Sequence, residues 1–201
     1  VTTITGSASD VDTALSSSGI TGLGEEFVTL TGSTSVANAN TISGKTTGAV
    51  TATITEGDVS TLKTLNETTN AYTLVITDTT VAAADLETLD GLTSVAVNAS
   101  NVATLTGSIS AVTDIYAANT AGTISGLGDE AVTISDTTSV AVSSLNTLDG
   151  KTTGTINAAT IQSLTGSTSA LNTAYASSGI SGLGDEAVTI DDTTLAVALL
   201  N

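Results

Sequence analysis

The chain lacks the side chains on which most catalytic and thiolate chemistry depends. Its 201 residues include no cysteine, histidine, methionine, tryptophan or proline, and all three basic residues are lysines. Without cysteine there are no disulfides or thiolate ligands, and without histidine there is no imidazole base. A carboxylate pair can serve a glycosidase, but such sites normally also carry arginine, lysine or aromatic platforms, and this chain has one Phe and three Tyr. We therefore predict that the protein is not an enzyme.

Positive charge is also scarce. Lys45, Lys63 and Lys151 oppose 20 acidic residues, which gives a formal net charge of -17. Nucleic acids and anionic lipid surfaces bind proteins through basic footprints, so neither is an expected partner. No apolar run approaches the roughly 20 residues that a membrane-spanning helix needs, and we expect no membrane insertion.

What is present is a composition suited to a packed core. Apolar residues make up 40% of the chain. They are mainly valine, isoleucine, leucine and alanine at regular spacing, which predicts folding rather than disorder. The chain begins at Val1 with neither an initiator methionine nor a signal peptide. We expect it to be a piece of a longer array.

The most informative feature is repetition. Gly-Leu-Gly-acid-Glu occurs at 22–26, 126–130 and 182–186, Ile/Leu-Thr-Gly-Ser at 4–7, 105–108 and 164–167, and Gly-Lys-Thr-Thr-Gly at 44–48 and 150–154. A fixed order of elements that recurs every ~50–60 residues is typical of a solenoid. We divide the chain into approximate repeats 1–53, 54–100, 101–160 and 161–201. The second repeat is the deviant one, since Asn70-Ala71-Tyr72 replaces its Gly-Leu-Gly-acid-Glu loop.

Two kinds of segment alternate along the chain. Period-two alternation predicts strands at 2–5, 28–30, 49–53, 72–77, 94–98, 131–135, 155–158 and 187–190. Helical spacing of apolar residues predicts helices at 7–17, 34–43, 58–66, 80–90, 108–119, 138–149, 167–177 and 193–200. The sequence from 161 to 166 is interpreted as an additional turn.

Strand, helix and strand joined by short linkers require parallel pairing with a right-handed crossover. The predicted fold class is α/β: a right-handed parallel solenoid with one parallel sheet on one flank, short helices on the other, and about seven or eight strands. Connections between strand centres alternate between roughly 21–23 and roughly 25–37 residues, which predicts one short and one long coil per repeat.

Alternation assigns the two faces of the sheet. The residues predicted to point inward are Val28, Leu30, Val50, Ala52, Leu74, Ile76, Val95, Val97, Val132, Ile134, Ile156, Ala158, Val188 and Ile190. The outward positions are mostly threonine, as at Thr29, Thr51 and Thr133. Threonine is a good strand former on a half-exposed surface, and that is one interpretation. The other is a flat array of hydroxyl and methyl groups that binds ice.

The acids of the glycine loops form the one candidate metal site. Glu25, Glu26, Asp129, Glu130, Asp185 and Glu186 would stack along one edge of the solenoid. Oxygen ligands of this kind suit Ca²⁺ at millimolar concentration, and the alternative is a solvated acidic edge. No other cofactor is expected. Asp78, Asp136 and Asp192 each precede a predicted helix start and are interpreted as N-terminal caps.

The strings at 148–158, 164–167, 177–190 and 191–195, together with their copies, resemble the repeats of giant secreted or cell-surface proteins of marine cyanobacteria. The resemblance covers nearly the whole chain. It implies an extracellular or cell-surface location within an extended array, and roles in adhesion, the surface layer or surface-associated motility. It transfers no catalytic residue.

The predicted function is therefore that of a structural repeat module, an extended spacer or adhesion segment whose partners are the neighbouring repeats of the same parent chain. The alternative is a binding module that uses the exposed threonine face for ice or a polysaccharide. Leu195, Val197, Leu199 and Leu200 form an apolar terminal helix in this interpretation, so we also expect end-to-end self-association.

Overall fold

A computed structural model describes residues 1–194 of the chain. Within that range the fold is mixed α/β, as predicted, and has seven helices and fourteen short strands. The helices are α1 Ala8–Leu15, α2 Val36–Ser43, α3 Val59–Leu62, α4 Ala83–Gly91, α5 Ile109–Ala121, α6 Val142–Asp149 and α7 Thr168–Ala176. The strands are β1 Thr3–Gly6, β2 Phe27–Thr34, β3 Val50–Ile54, β4 Ala71–Thr73, β5 Thr80–Ala82, β6 Val97–Asn98, β7 Thr104–Gly107, β8 Ile124–Ser125, β9 Ala131–Ile134, β10 Ser139–Ala141, β11 Ile156–Asn157, β12 Ser163–Gly166, β13 Ile180–Ser181 and β14 Ala187–Ile190.

The paired strands of the described range are parallel. They form four sheets with the orders β1-β2-β3-β4, β13-β11-β9-β7-β5, β10-β12-β14 and β6-β8. The prediction of a single sheet with about seven or eight strands is therefore wrong. The predicted helix at 193–200 and its apolar residues lie almost entirely outside the described residues.

The spacing between paired strands is more regular than predicted. We call the segment from one strand to the strand paired with it a coil. Thr3 pairs with Phe27, Thr80 with Thr104, and Ser139 with Ser163, each 24 positions later. The shortest coil has 20 positions, from Thr51 to Ala71, and the longest has 27, as from Thr104 to Ala131. The predicted alternation of short and long coils is wrong because several strands were missed, so that some connections were measured between strands of different sheets, as from β6 to β9 and from β11 to β14.

The chain divides into two compact units. The first comprises Val1–Asp78, Asp85–Asn101 and Asn119–Gly126, and the second comprises Thr79–Ala84, Val102–Ala118 and the chain from Leu127 onward. Unit 1 contains the four-stranded sheet, the β6-β8 pair and helices α1 to α3, with α1 packed beside α2. Unit 2 contains the five-stranded and three-stranded sheets, with α6 packed beside α7.

Each unit has a core of inward strand residues. Val28, Val50 and Leu74 are fully buried in unit 1, and Val132 and Ile156 are 1% and 0% exposed in unit 2. The inward prediction is confirmed for all its residues except Val95, Val188 and Ile190, which are 36%, 45% and 38% exposed. Burial of such alternating side chains is the main favourable term that holds stacked strands together. None of the helices in residues 1–194 is long and apolar enough to cross a membrane.

The Leu-Thr-Gly-Ser segments are strands that run directly into helices. The sequence analysis predicted a strand at the first copy only, although β7 and β12 occupy the other two. Gly166 ends β12 with φ 156, and a Cβ added there would lie 2.5 Å from Val142 Cγ1. Glycine is required at this junction because the helix of the preceding coil packs against the bare backbone.

Candidate functional site

The second acid of each glycine loop folds back onto its own loop. Glu26 Oε2 accepts a hydrogen bond from Gly24 N at 2.7 Å, and Glu186 Oε2 accepts one from Gly184 N at 2.8 Å. Glu130 Oε2 accepts from both Gly128 N, at 2.8 Å, and Asp129 N, at 3.1 Å. The carboxylates of these residues act as fasteners of a tight turn, because each satisfies backbone donors that the turn leaves unpaired.

Burial separates the two acids of each pair. Glu26 and Glu130 are 1% and 2% exposed. The first acids, Glu25, Asp129 and Asp185, are exposed to solvent. The two members of a predicted Ca²⁺ pair therefore have different surroundings, and one of them already has hydrogen-bond partners.

The strand order of unit 2 does not place the acids of its two glycine loops on neighbouring strands. Glu130 precedes β9 of the five-stranded sheet, whereas Glu186 precedes β14 of the three-stranded sheet. Residues 1–194 contain no group of three or more histidine, cysteine, aspartate or glutamate side chains that could hold a metal ion. A groove of about 360 Å³ beside α5 and α6 is lined by residues that include Asp114, Ser144 and Thr147. The Ca²⁺ edge stays a prediction.

The Gly-Lys-Thr-Thr-Gly turn docks on the glycine loop of the preceding coil. Thr152 Oγ1 donates to Glu130 O at 2.8 Å and accepts from Gly154 N at 2.9 Å, while Thr153 N donates to Gly128 O at 2.9 Å. We call this arrangement of Gly128, Glu130, Thr152 and Gly154 the Glu corner.

Unit 1 contains a copy of the Glu corner. Thr46 Oγ1 donates to Glu26 O at 2.6 Å, and Thr47 N donates to Gly24 O at 2.8 Å. The two motifs, which lie about one coil apart in the sequence, are thus hydrogen-bonded to each other in the fold.

The deviant second repeat builds the same docking from different residues. Thr93 Oγ1 donates to Tyr72 O at 2.7 Å and accepts from Val95 N at 3.1 Å, while Ser94 N donates to Asn70 O at 2.9 Å. We call Asn70, Tyr72, Thr93 and Val95 the Asn corner. Asn70-Ala71-Tyr72, which the sequence shows in place of the glycine loop, therefore occupies the structural position of that loop and accepts the same kind of contacts from the next coil.

Asn70 supplies the buried polar group of this corner. Its side chain accepts from Val50 N at 2.7 Å and donates to Tyr72 Oη at 2.8 Å and to Ser43 Oγ at 3.2 Å. Asn70 is 2% exposed and Tyr72 is fully buried. An amide can satisfy this site because it both donates and accepts, which a carboxylate cannot do.

Helix starts receive a second kind of contact from the next coil. The N–H groups of Val59, Ile109 and Thr168 donate to Asp78, Asp136 and Asp192 at 2.6, 2.8 and 2.7 Å. The prediction that these aspartates are helix caps is confirmed in kind, but each caps the helix before it in the sequence, not the one after it. Glu56 does the same for Val36 N at 3.0 Å.

Each of these helices also has a local cap. Asp58, for example, accepts from Thr61 N at 2.9 Å and so satisfies a different donor of α3. Hydrogen bonds from Thr61 and Ser60 lower the pKa of Asp58, and hydrogen bonds from Thr168 lower the pKa of Asp192. The negative charge is favourable at these positions because the first N–H groups of a helix carry partial positive charge.

Two lysines form ion pairs with aspartates. Lys45 pairs with Asp12 at 2.5 Å and Lys63 with Asp85 at 2.6 Å, both at the partly exposed surface of unit 1. The hydrogen bond from Gly24 N is the main reason that the pKa of Glu26 lies below its usual value.

Two tyrosines lie against glutamates of unit 2. Burial, reinforced by Glu186, raises the pKa of Tyr175 to about 12, and its hydroxyl donates to that carboxylate. Burial acts to raise the pKa of Glu186, but the hydrogen bonds from Tyr175 and the backbone outweigh it and lower that pKa. Tyr116 is 2% exposed, and burial together with Glu130 raises the pKa of its hydroxyl.

Comparison with protein-family models, curated proteins and known structures gives no significant match.

Sequence reasoning missed the residues that join the coils. Thr46, Thr152 and Asn70 lie in strings that the sequence analysis quoted, but no role in joining coils was predicted for any of them. The sequence did contain a signal, because the Gly-Leu-Gly-acid-Glu and Gly-Lys-Thr-Thr-Gly motifs are separated by a similar distance in both copies. From Glu26 to Thr46 and from Glu130 to Thr152 the separation is about one coil. Aspartates before Thr-Thr gave the second signal, but only the fold decides which helix they cap.

Proposed function

We propose that this protein is a structural repeat module whose coils stack as a right-handed parallel solenoid. In this proposal it serves as a spacer or adhesion segment of a large surface protein outside the cell, and it is not an enzyme. Neighbouring repeats of the parent chain are its partners. The sequence resemblance stated above supports the location, and the regular coils support the architecture.

The observation that carries the proposal is that polar side chains repeatedly connect one coil to the next. Asp78, Asp136 and Asp192 reach back to helix starts 19 to 27 residues earlier. The threonines of the Glu and Asn corners reach back in the same way. Contacts between neighbouring coils that recur along the chain are what a stack of repeats needs, because each repeat is held only by its neighbours.

Stacking of this kind suits a mechanical role. Each coil buries its apolar face against its neighbours and covers their strand edges, so few peptide bonds are free for proteolysis. The net charge of -17 keeps such arrays soluble and apart.

Single-molecule extension of the chain tests the architecture. A solenoid should lose its coils one after another, with length gains of about 80 Å each, since about 24 residues extend by roughly 3.3–3.6 Å apiece. Asp136→Ala should lower the force of one of these steps, while Asp129→Ala, at an exposed acid, should not. Release of the whole chain in one step would contradict the proposal.

Antibody labelling tests the location. An antibody against this chain should label intact, unpermeabilised cells of the organism that makes it. Labelling that requires permeabilisation would contradict an extracellular role.

A second candidate function is binding through the threonine face, and strand register in unit 1 favours it. Thr5, Thr29 and Thr51 are exposed and directly in register on three neighbouring strands, about 4.8 Å apart. Thr53 and Thr73 form a second exposed pair. The first row ends at Ala71, and Phe27 lies exposed beside it.

Thermal hysteresis separates the two functions. An ice-binding face should lower the freezing point below the melting point, and the double variant Thr29→Lys, Thr51→Lys should remove that effect. Thr41→Lys on helix α2 is the matched control. A spacer shows no hysteresis in any of these forms, and binding to a polysaccharide is checked by the same variants on a glycan array.

A further inference from the structure

Among residues 1–194, the strand β14 is paired on one side only, with β12. Val188 and Ile190 of β14 are 45% and 38% exposed. Their counterparts Val132 and Ile134 of β9 are each 1% exposed, because a further coil covers them. The same sequence, Ala-Val-Thr-Ile, is thus buried in one copy and exposed in the other.

The loop before β14 already has the conformation of the covered copies. Gly182 and Gly184 have φ 80 and 135, close to Gly22 and Gly24 with φ 78 and 120. Glu186 fastens Gly184 N at 2.8 Å, as Glu26 fastens Gly24 N at 2.7 Å. The exposed copy therefore needs no rearrangement to make the same contacts.

The edge of β14 that pairs with no other described strand can be identified from the hydrogen bonds of the strand. Ala187 N donates to Gln162 O at 2.9 Å, so Ala187 faces β12. Alternation then turns the backbone groups of Val188 and Ile190 toward the opposite edge. In β9 the equivalent amide, Val132 N, donates to Thr155 O at 3.0 Å, and Thr155 follows directly on the Gly-Lys-Thr-Thr-Gly turn.

We propose that β14 and the 182–186 loop form a docking edge for a coil of another repeat that consists of a helix, a Gly-Lys-Thr-Thr-Gly turn and a strand. This inference rests on the proposed function. The second threonine N–H of the turn would bond Gly184 O, the first threonine hydroxyl would bond Glu186 O, and the carbonyl before the strand would accept from Val188 N. Both covered copies in this chain use that set of contacts.

Geometry excludes most other coils. A Cβ at Gly154 would lie 2.3 Å from Glu130 O, so only glycine fits at the last position of the turn opposite a glutamate loop. A coil of the Asn corner type, which has Val95 at that position, should therefore be rejected at β14. The docking edge selects for the Gly-Lys-Thr-Thr-Gly class.

Addition of a peptide with the sequence of residues 142–158 to the isotope-labelled chain tests the proposal. We expect saturable binding at one to one, with at least about ten-fold slower exchange of the Val188 amide. The peptide with Gly154→Val should not bind. Val188→Asp in the protein should abolish binding, and Thr189→Asp on the outward face of the same strand should not.

A tethered form guards against weak affinity. Joining the same peptide to Asn201 through a glycine-serine linker raises its effective concentration to about the millimolar range. No protection of the Val188 amide in the tethered form would overturn the inference. The inference would also be overturned if the Val188 amide of the free chain were already as protected as the Val132 amide. The same holds if the chain self-associates, Val188→Asp removes that association, and the peptide still does not bind. If coils still unfold in sequence while the peptide fails, only this inference fails and the proposed function stands.

Discussion

The Glu corner and the Asn corner perform the same docking with opposite chemistry. At the Glu corner a buried carboxylate fastens its own loop, and at the Asn corner a buried amide reaches three neighbours from different segments. In both, a threonine hydroxyl of the next coil donates to a backbone carbonyl, to Glu130 O in one and Tyr72 O in the other. The threonine contact is thus the constant part of the joint, and the buried polar group beneath it is interchangeable.

The two corners differ in how closely the coils approach. A Cβ at Gly48 or Gly154 would lie 2.2 or 2.3 Å from a glutamate carbonyl oxygen. The residue in the same place at the Asn corner is Val95, which is 36% exposed. The folded glycine loop therefore brings its backbone against the next coil and excludes every side chain there, whereas the Asn corner leaves room for one.

The largest effect should come from exchanging these two residues. Gly154→Val forces a side chain into the Glu130 carbonyl and should lower the free energy of unfolding by about 4 kcal/mol or more. Val95→Gly should cost only about 1 kcal/mol, because its main effect is on backbone entropy. Chemical denaturation of both variants measures this. Equal losses would show that the two corners do not differ in approach.

The next effect concerns the buried amide. Asn70→Ala leaves Val50 N without its acceptor and removes the hydrogen bond from Asn70 to Tyr72 Oη, and should cost about 3 kcal/mol. Asn70→Asp should be as damaging, since a carboxylate cannot donate to Tyr72 Oη or Ser43 Oγ. Thermal unfolding checks both, with Asn172→Ala on helix α7 as an exposed control. Tolerance of aspartate at 70 would contradict the need for a donor.

The buried carboxylate should matter less, because the backbone donors that it satisfies belong to its own loop. Glu130→Ala leaves the N–H groups of Gly128 and Asp129 without an acceptor and should cost about 2 kcal/mol. Glu130→Gln keeps an acceptor and should cost less. Asp129→Ala, the exposed neighbour, is the control. A loss at position 130 larger than at position 70 would reverse the ranking of the two corners.

Acid should distinguish the two kinds of corner in unit 1. The folded pKa of Glu26 is lowered by the Gly24 hydrogen bond, so its stabilising contribution is present above the unfolded value of about 4.3 and is lost as the pH falls through the folded pKa. The Gly24 amide should then lose its protection against exchange, relative to an unstructured amide at the same pH, as the pH falls through that folded pKa, while the Val50 amide, held by Asn70, should keep its protection. Amide exchange measures both. Glu26→Gln should remove the pH dependence at Gly24.

The smallest effect is expected from Ca²⁺. Since one acid of each predicted pair is fastened to its own loop, a divalent ion finds mainly the exposed acid, and millimolar affinity adds well below 2.7 kcal/mol near the dissociation constant. We expect no rise in melting temperature beyond that produced by monovalent salt of equal ionic strength. A specific rise that Asp129→Asn and Asp185→Asn remove would instead establish the Ca²⁺ edge.

Local patterns in the sequence were sufficient for much of the fold. Alternation located β2, β3, β9 and β14 and the inward residues of the first three, and apolar spacing located the helices. Strands such as β10 and β12 were missed because Ser139–Ala141 was absorbed into a predicted helix and Ser163–Gly166 into a turn. A strand of three or four residues that includes serine, threonine or glycine has too little alternation to be distinguished from a helix cap.

The candidate site was predicted in outline only. The aspartates before Thr-Thr were recognised as caps, but of the wrong helices. The glycine loops were recognised as special, but the hydrogen bonds that their second acids make within the loop were not foreseen. Nothing in the order of residues states that Asp136 lies beside Ile109, 27 positions earlier, because that neighbour is set by the length of a coil.

The sequence by itself determined the α/β class, the parallel pairing and the inward residues, because these follow from periodicity and linker length within a few residues of each position. Only the tertiary structure decided which polar groups meet. Glu26 became a loop fastener, Asp78 the cap of an earlier helix, and Val95 an allowed side chain where Gly154 is obligatory. The reason is physical. A buried backbone donor needs an acceptor, and a closely packed backbone needs a residue that leaves it room; the neighbouring coil, which is remote in sequence, supplies both.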